Sequence, residues 1–291
     1  MPIDYSTPGV ITALTPDQRQ LAAELPADPV AICRAVAGLI VHPAQTGSLG
    51  LPEPRMGAQA IRPVTRILDE LLAIDPAPLT KVREPRQRVV GTCRHFATVS
   101  VALLQAHGVP ARARCGFASY FRPDRHVDHW VVEHWVAGHA AAGESSDGES
   151  SDGESSDGRW VRIDPEILDG TNVSHPDDLA PGEFLTGGEA WRLVRSGDAD
   201  PATFGVNGTD HAWGPAEIRG NAIRDLAALV QVETLPWDEW GRMEASYRGE
   251  TGLDYDHLID LVAQVCAEDD AERIRVLYNS EDLAVPAELK N

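Results

Sequence analysis

The chain is short of cysteine, of positive charge and of long apolar runs. Its 291 residues include four cysteines, Cys33, Cys93, Cys115 and Cys266. None form a CxxC pair, which excludes a dense disulfide framework and a structural zinc site. Lys and Arg total 25 against 45 Asp and Glu, a formal net charge of -20. Such a surface repels phosphate backbones, so nucleic acid is excluded as a partner. No apolar stretch approaches the ~18–20 residues of a membrane helix, which excludes a membrane partner. The start, Met1-Pro2-Ile3-Asp4-Tyr5-Ser6, has neither the basic nor the apolar part of a secretory leader. The expected location is the cytoplasm, where thiols stay reduced. The sequence carries no signal of oligomeric state.

What remains is enough for a sizeable core, since 43% of residues are apolar. Three regions are expected. Residues 1–54 read as a helical and loop segment, with a short helix near 17–24, an apolar helix over 29–41 and a loop over 42–54. Residues 55–187 read as a catalytic core, with helices over 62–74 and 93–106 and strands over 111–120, 129–136 and 159–163. Residues 188–291 read as an α-helical addition, with helices over 188–195, 215–232, 237–247, 253–267 and 270–278. The fold class is therefore α+β. Between the last two strands, Gly-Glu-Ser-Ser-Asp occurs three times from Gly143 to Asp157. It holds no apolar residue, so 143–158 is expected to be a disordered surface insertion. Its spacing does not follow an EF-hand calcium loop.

The chemistry begins at Gly91-Thr92-Cys93, where a tight turn enters a helix. A helix N-terminus presents unpaired N–H groups and a positive dipole end, which lower a thiol's pKa and can hold an oxyanion. A histidine would pair with such a thiol, and a carboxylate would fix the imidazole tautomer. His95 follows two residues on and points elsewhere. His126 is placed in a loop. His129 and His134 lie on opposite faces of one strand; His129 is the choice and His134 the competitor. Asp164, fixed by Pro165 at a strand end, is the candidate carboxylate.

Gly-x-Cys-x-x-Phe-Ala, a helix ending Gly108-Val109-Pro110-Ala111-Arg112, His129-Trp130-Val131-Val132-Glu133 and Trp160-Val161-Arg162-Ile163-Asp164-Pro165 together resemble the transglutaminase-like superfamily. The resemblance runs from about Val89 to Pro165. It implies a papain-like core, with the nucleophile helix packed on an antiparallel sheet. It implies Cys93 as nucleophile, His129 as general base and acid, and Asp164 as orienter. Gln87 stands where papain-like enzymes keep an oxyanion glutamine, and Thr92 and Trp130 are further oxyanion or pocket candidates. In the family the tryptophan usually follows the histidine by two residues; here Trp130 follows directly.

Amide hydrolysis and acyl transfer to an amine share the first half of such a reaction, so a small-molecule or peptide-like acyl substrate is expected and no cofactor is needed. Two alternatives stand beside this reading. One is a binding module that keeps the fold without turnover. The other is a metal-dependent hydrolase using Cys93, His95, Cys115, His126 and His129.

Overall fold

Thr15 and Asp28 open the first two helices with their side chains. Thr15 and Gln18 form a reciprocal capping box on α1 (Pro16–Ala22), and Asp28 accepts the Ala31 N–H at the start of α2 (Pro29–Ala37). The computed structural model describes residues 3–138, 158–170, 173–280 and 282–291, so the acidic repeat lies outside the described residues. The helix expected to reach residue 41 stops at Ala37, and Ile40–Val41 become a strand, β1. The reason is non-local. β1 pairs in parallel with β2 (Val89–Val90), and their β-branched side chains are buried together. The expected loop after residue 42 holds a helix, α3 (Pro43–Leu49), capped by the His42 ring, and α4 (Val64–Ile74) follows.

Helix α5 (Cys93–Ala106) begins and ends where its pattern predicts. Beyond it, β3 (Ala111–Ala118), β4 (His126–Val136), β5 (Arg159–Ile163) and β6 (Phe184–Thr186) form an antiparallel sheet of order β5-β4-β3-β6, and β7 (Phe204–Gly205) runs parallel to the start of β4. The fold is the expected α+β: a helix bearing Cys93 packed on an antiparallel sheet, followed by helices. Those are α6 (Gly187–Ser196), α7 (Pro215–Leu229), α8 (Met243–Tyr247), α9 (Leu253–Glu268) and α10 (Ala271–Tyr278). Sequence reading did not anticipate β6 and β7. Three and two residues long, they exist through their pairing with β3 and β4 rather than through local pattern.

Pairing in register gives the sheet two unlike faces. Ala113, Cys115, Trp130 and Val132 lie on one face and join the apolar side of α5, α2 and α4 in a single buried cluster. That cluster also takes in Leu14, Ala22 and Leu25 from the N-terminal segment. Arg112, Arg114 and Glu133 occupy the other face, where they pair with one another and with Asp225 of α7. A cavity of about 1140 Å³ opens there, lined by Arg112, Glu133, Arg162, Phe184 and Glu189 among others, and it includes none of Cys93, His129 or Asp164. The C-terminal helices have their own core around Ile223, Leu226, Tyr255 and Ile259, into which Phe117 of β3 projects. Gly187 makes the junction possible: a Cβ there would fall 2.2 Å from the backbone of Asn221 and Ala222. Among the described residues no helix is long and apolar enough to cross a membrane.

Candidate active site

The parallel pair β1–β2 aims two chain segments at one point. Just past β2, Gly91 and Thr92 lead into α5, and Cys93 is its first residue. Just past β1 comes His42, beside Gly91, whose N–H donates to Val41 O at 3.1 Å. Two neighbours in sequence anchor the start of α5. The Arg94 guanidinium, fully buried, donates to Arg62 O at 2.8 Å and to Glu233 O at 2.5 Å. The His95 ring accepts the Thr92 N–H on Nδ1 at 3.1 Å, and its Nε2–H donates to Ile61 O at 3.1 Å. That pattern fixes the neutral tautomer, and burial pushes the His95 pKa down to about 3. His95 is thus a structural residue at the helix start.

Gly91 is the residue this arrangement needs. A Cβ there would sit 2.7 Å from His95 Cβ and 2.8 Å from its Cγ. Gly91→Ala is expected to displace the His95 ring from both partners and cost about 1–3 kcal/mol. Denaturant unfolding measures the loss, and slower alkylation of Cys93 would show that the helix start has moved with it.

His129 stands directly opposite Gly116 in the β3–β4 register. Its Nε2–H donates to Asp164 Oδ2 at 2.8 Å, and the Cys93 thiol is near enough for the two groups to shift each other's pKa. Asp164, fully buried just past β5, also accepts the Tyr120 hydroxyl on Oδ2 at 2.6 Å and the Glu166 N–H on Oδ1 at 2.9 Å. The rings of Tyr120 and Phe121 lie edge-on to the imidazole, at 6.2 and 4.9 Å between centroids. Cys93, His129 and Asp164, chosen from sequence, are therefore brought into one neighbourhood, His129 and Asp164 by a direct hydrogen bond.

The electrostatics differ in one respect from expectation. The helix start was expected to lower the Cys93 pKa; burial pushes it up instead, against the hydrogen bond and charge of His129. For His129, burial favours the neutral ring, but the charge and hydrogen bond of Asp164, with Cys93 on the other side, raise its pKa well above the ordinary value. The protonated ring is thus the charge that favours a thiolate, and desolvation is what opposes it.

The other candidates fall outside this chain of contacts. Trp130 is wholly buried in the core beneath α5, and its indole N–H has no partner among the described residues, so it is a packing residue rather than a pocket wall. A residue directly after His129 must point to the opposite sheet face, which is the core side here. Gln87 is half-buried on a single turn, Pro85–Gln87, before β2. Thr92 is the helix N-cap. His134 pairs opposite Ala111, at the far end of β4 from His129. The residues of the metal reading are engaged separately: His95 at the helix start, Cys115 Sγ donating to Asn221 Oδ1 at 3.4 Å, and His126 stacked on Phe204 at 4.3 Å. His126 lies on β4 rather than in the expected loop. Among the described residues no three His, Cys, Asp or Glu side chains are grouped as metal ligands.

Sequence reading missed four residues around the thiol. Tyr120 binds Asp164 from beyond the end of β3, where a strand was expected to continue. His42, half-buried, has its pKa pushed down to about 4 by burial and then by the His129 charge. Asp128 accepts from Asn221 at 2.7 Å, and burial lifts its pKa to about 6. Glu166 lies next to Asp164, and burial lifts its pKa to about 7.

The family model described as "Transglutaminase-like superfamily" matches residues 74–165. This segment is similar to the transglutaminase-like superfamily. It spans α5, β3, β4 and β5, and it includes Cys93, His129 and Asp164. No curated protein matches. A solved structure, "a Putative Cysteine Protease from Cytophaga hutchinsonii", aligns at 16% identity over 56% of this chain, with a TM-score of 0.33. The alignment spans 41% of that structure's chain.

Proposed function

We propose that this protein is a cysteine-dependent acyl-transfer enzyme working through Cys93, His129 and Asp164. The observation that carries the reading is a buried imidazole bonded to a carboxylate through Nε2 and electrostatically coupled to a thiol at a helix N-terminus. Cys93 passes its proton to His129, and the thiolate attacks the carbonyl carbon of an amide or thioester. A C–S bond forms and the carbonyl oxygen gains the electron pair. The first amides of α5 have no intrahelical partner and face the developing oxyanion. The tetrahedral species collapses to a thioester as His129 protonates the departing amine or thiol. Water or an amine then attacks the thioester, gives its proton to His129 and releases Cys93. Which of the two serves as second nucleophile decides between hydrolysis and transfer, and that choice lies in the pocket walls.

Intact-mass spectrometry with a panel of amide and thioester donors tests this. Wild type is expected to gain a donor-derived mass that hydroxylamine removes, and Cys93→Ala is expected to gain none. An adduct of equal yield on Cys93→Ala would overturn the assignment.

A further inference from the structure

We propose that Glu166 forms a subsite for a protonated amino group carried by the acyl donor close to the carbonyl that Cys93 attacks. The inference rests on the reading of Cys93 as nucleophile and goes beyond it to the class of donor.

Its starting point is an unmet need. Glu166 Oε2 is shut off from solvent and has no hydrogen-bond partner among the described residues. A carboxylate oxygen shut off without a partner is costly, and proteins normally pair it. Elsewhere in this molecule the rule holds: Glu133, Glu217, Asp225 and Asp238 each hold an arginine. Glu233 also keeps an unpartnered oxygen, but it lies beside the cationic Arg94. Glu166 has no described lysine or arginine against it, and the charges it feels are His129 and Asp164.

Position supplies the second argument. Pro165 fixes the backbone between Asp164 and Glu166, and the Glu166 N–H is tied to Asp164 Oδ1. Glu166 is therefore held in register with the acid of the proposed triad, and its charge reaches both Cys93 and Tyr120. The other acidic group whose charge reaches the thiol, Asp128, is occupied by the Asn221 amide. Among the described residues Glu166 Oε2 has no hydrogen-bond partner, yet the Glu166 charge bears on the Cys93 thiol. A donor bearing an ammonium group would meet the carboxylate's need and gain orientation from it. Burial lifts the Glu166 pKa to about 7, so an arriving cation would also favour the ionised form.

Three methanethiosulfonates test the proposal without a known substrate: the ethylammonium (cationic), ethylsulfonate (anionic) and methyl (neutral) reagents. Rates of Cys93 modification at pH 8 in the full chain are each divided by the rate with a small free thiol. Wild type is expected to favour the cationic over the neutral reagent by about tenfold. Glu166→Gln is expected to lose that preference, and Glu166→Asp, which keeps the charge, to retain part of it. Reaction with no charge preference in wild type, or the same preference in Glu166→Gln, overturns the subsite and leaves the nucleophile standing. Failure of Cys93 to react with any of the three overturns the nucleophile and the subsite together.

Discussion

Asp164→Asn is expected to lower turnover about 10⁴-fold while the fold persists. The argument is one of donors and acceptors. Asp164 offers only acceptors, and both are in use: Oδ2 takes the His129 Nε2–H and the Tyr120 hydroxyl, and Oδ1 takes the Glu166 N–H. Asparagine has one acceptor oxygen and one amide nitrogen. If its oxygen faces His129, the amide nitrogen opposes the Glu166 N–H, donor against donor. If it turns, the nitrogen faces His129, and the ring must place its proton on Nδ1, the side that serves the thiol. A ring protonated there as a neutral imidazole cannot accept the Cys93 proton. Loss of the carboxylate also removes the charge that raises the His129 pKa, so less imidazolium is present at neutral pH to stabilise a thiolate. kcat/KM for the donor found by mass spectrometry measures the effect, with the pH profile of Cys93 alkylation as a substrate-free readout. Tyr120→Phe keeps the carboxylate and removes one hydrogen bond, so about a tenfold loss is expected. Turnover of Asp164→Asn within tenfold of wild type would mean that Asp164 does not orient His129.

Much of this site was legible because its parts are local. Gly91-Thr92-Cys93 announces a turn into a helix, Gly108 and Pro110 stop it, and β5 is a short strand closed by Asp-Pro. What was not legible depends on partners far away in sequence. Ile40–Val41 follow directly on an apolar helix, and only pairing with residues 89–90 makes them a strand. His42 reaches the site by that pairing and by no local signal. Tyr120 looked like the continuation of β3, but the strand ends at Ala118 and the Tyr120 hydroxyl goes to Asp164 instead. The thiol's environment was also misjudged, since a helix-start argument says nothing of how deeply the sulfur lies. One signal was present and unread: Arg94 and His95 are the ionisable pair beside Cys93 in a helix whose other residues carry no charge. Such a pair needs buried partners, and here the partners are the backbone of residues 61–62 and 233.

Glu133→Ala should be the most damaging single change to stability, costing about 3–5 kcal/mol. Glu133 sits on β4, four residues from His129, and it joins three guanidinium groups. Its Oε2 accepts from Arg112 and Arg114, each at 2.8 Å, and its Oε1 accepts from Arg162 at 2.9 Å. Arg112 and Arg114 are nearly sealed from solvent, at 4% and 5% exposure. Each arginine keeps a second partner, Asp269, Asp225 and Glu189 respectively, so the network would not vanish. It would lose its centre, leaving three cations facing one another without the shared anion. Burial alone would raise the Glu133 pKa, but the three arginines hold it well below the usual carboxylate range. A depressed folded-state pKa contributes stability that is complete above the unfolded value of about 4.3 and is lost as pH falls below it. Glu133→Gln should therefore lose most relative to wild type near pH 7, and the two should converge in acid. Urea unfolding of both variants from neutral to acid pH measures this. A cost below about 1 kcal/mol for Glu133→Ala would show that the remaining carboxylates suffice and that Glu133 is not the centre of the network.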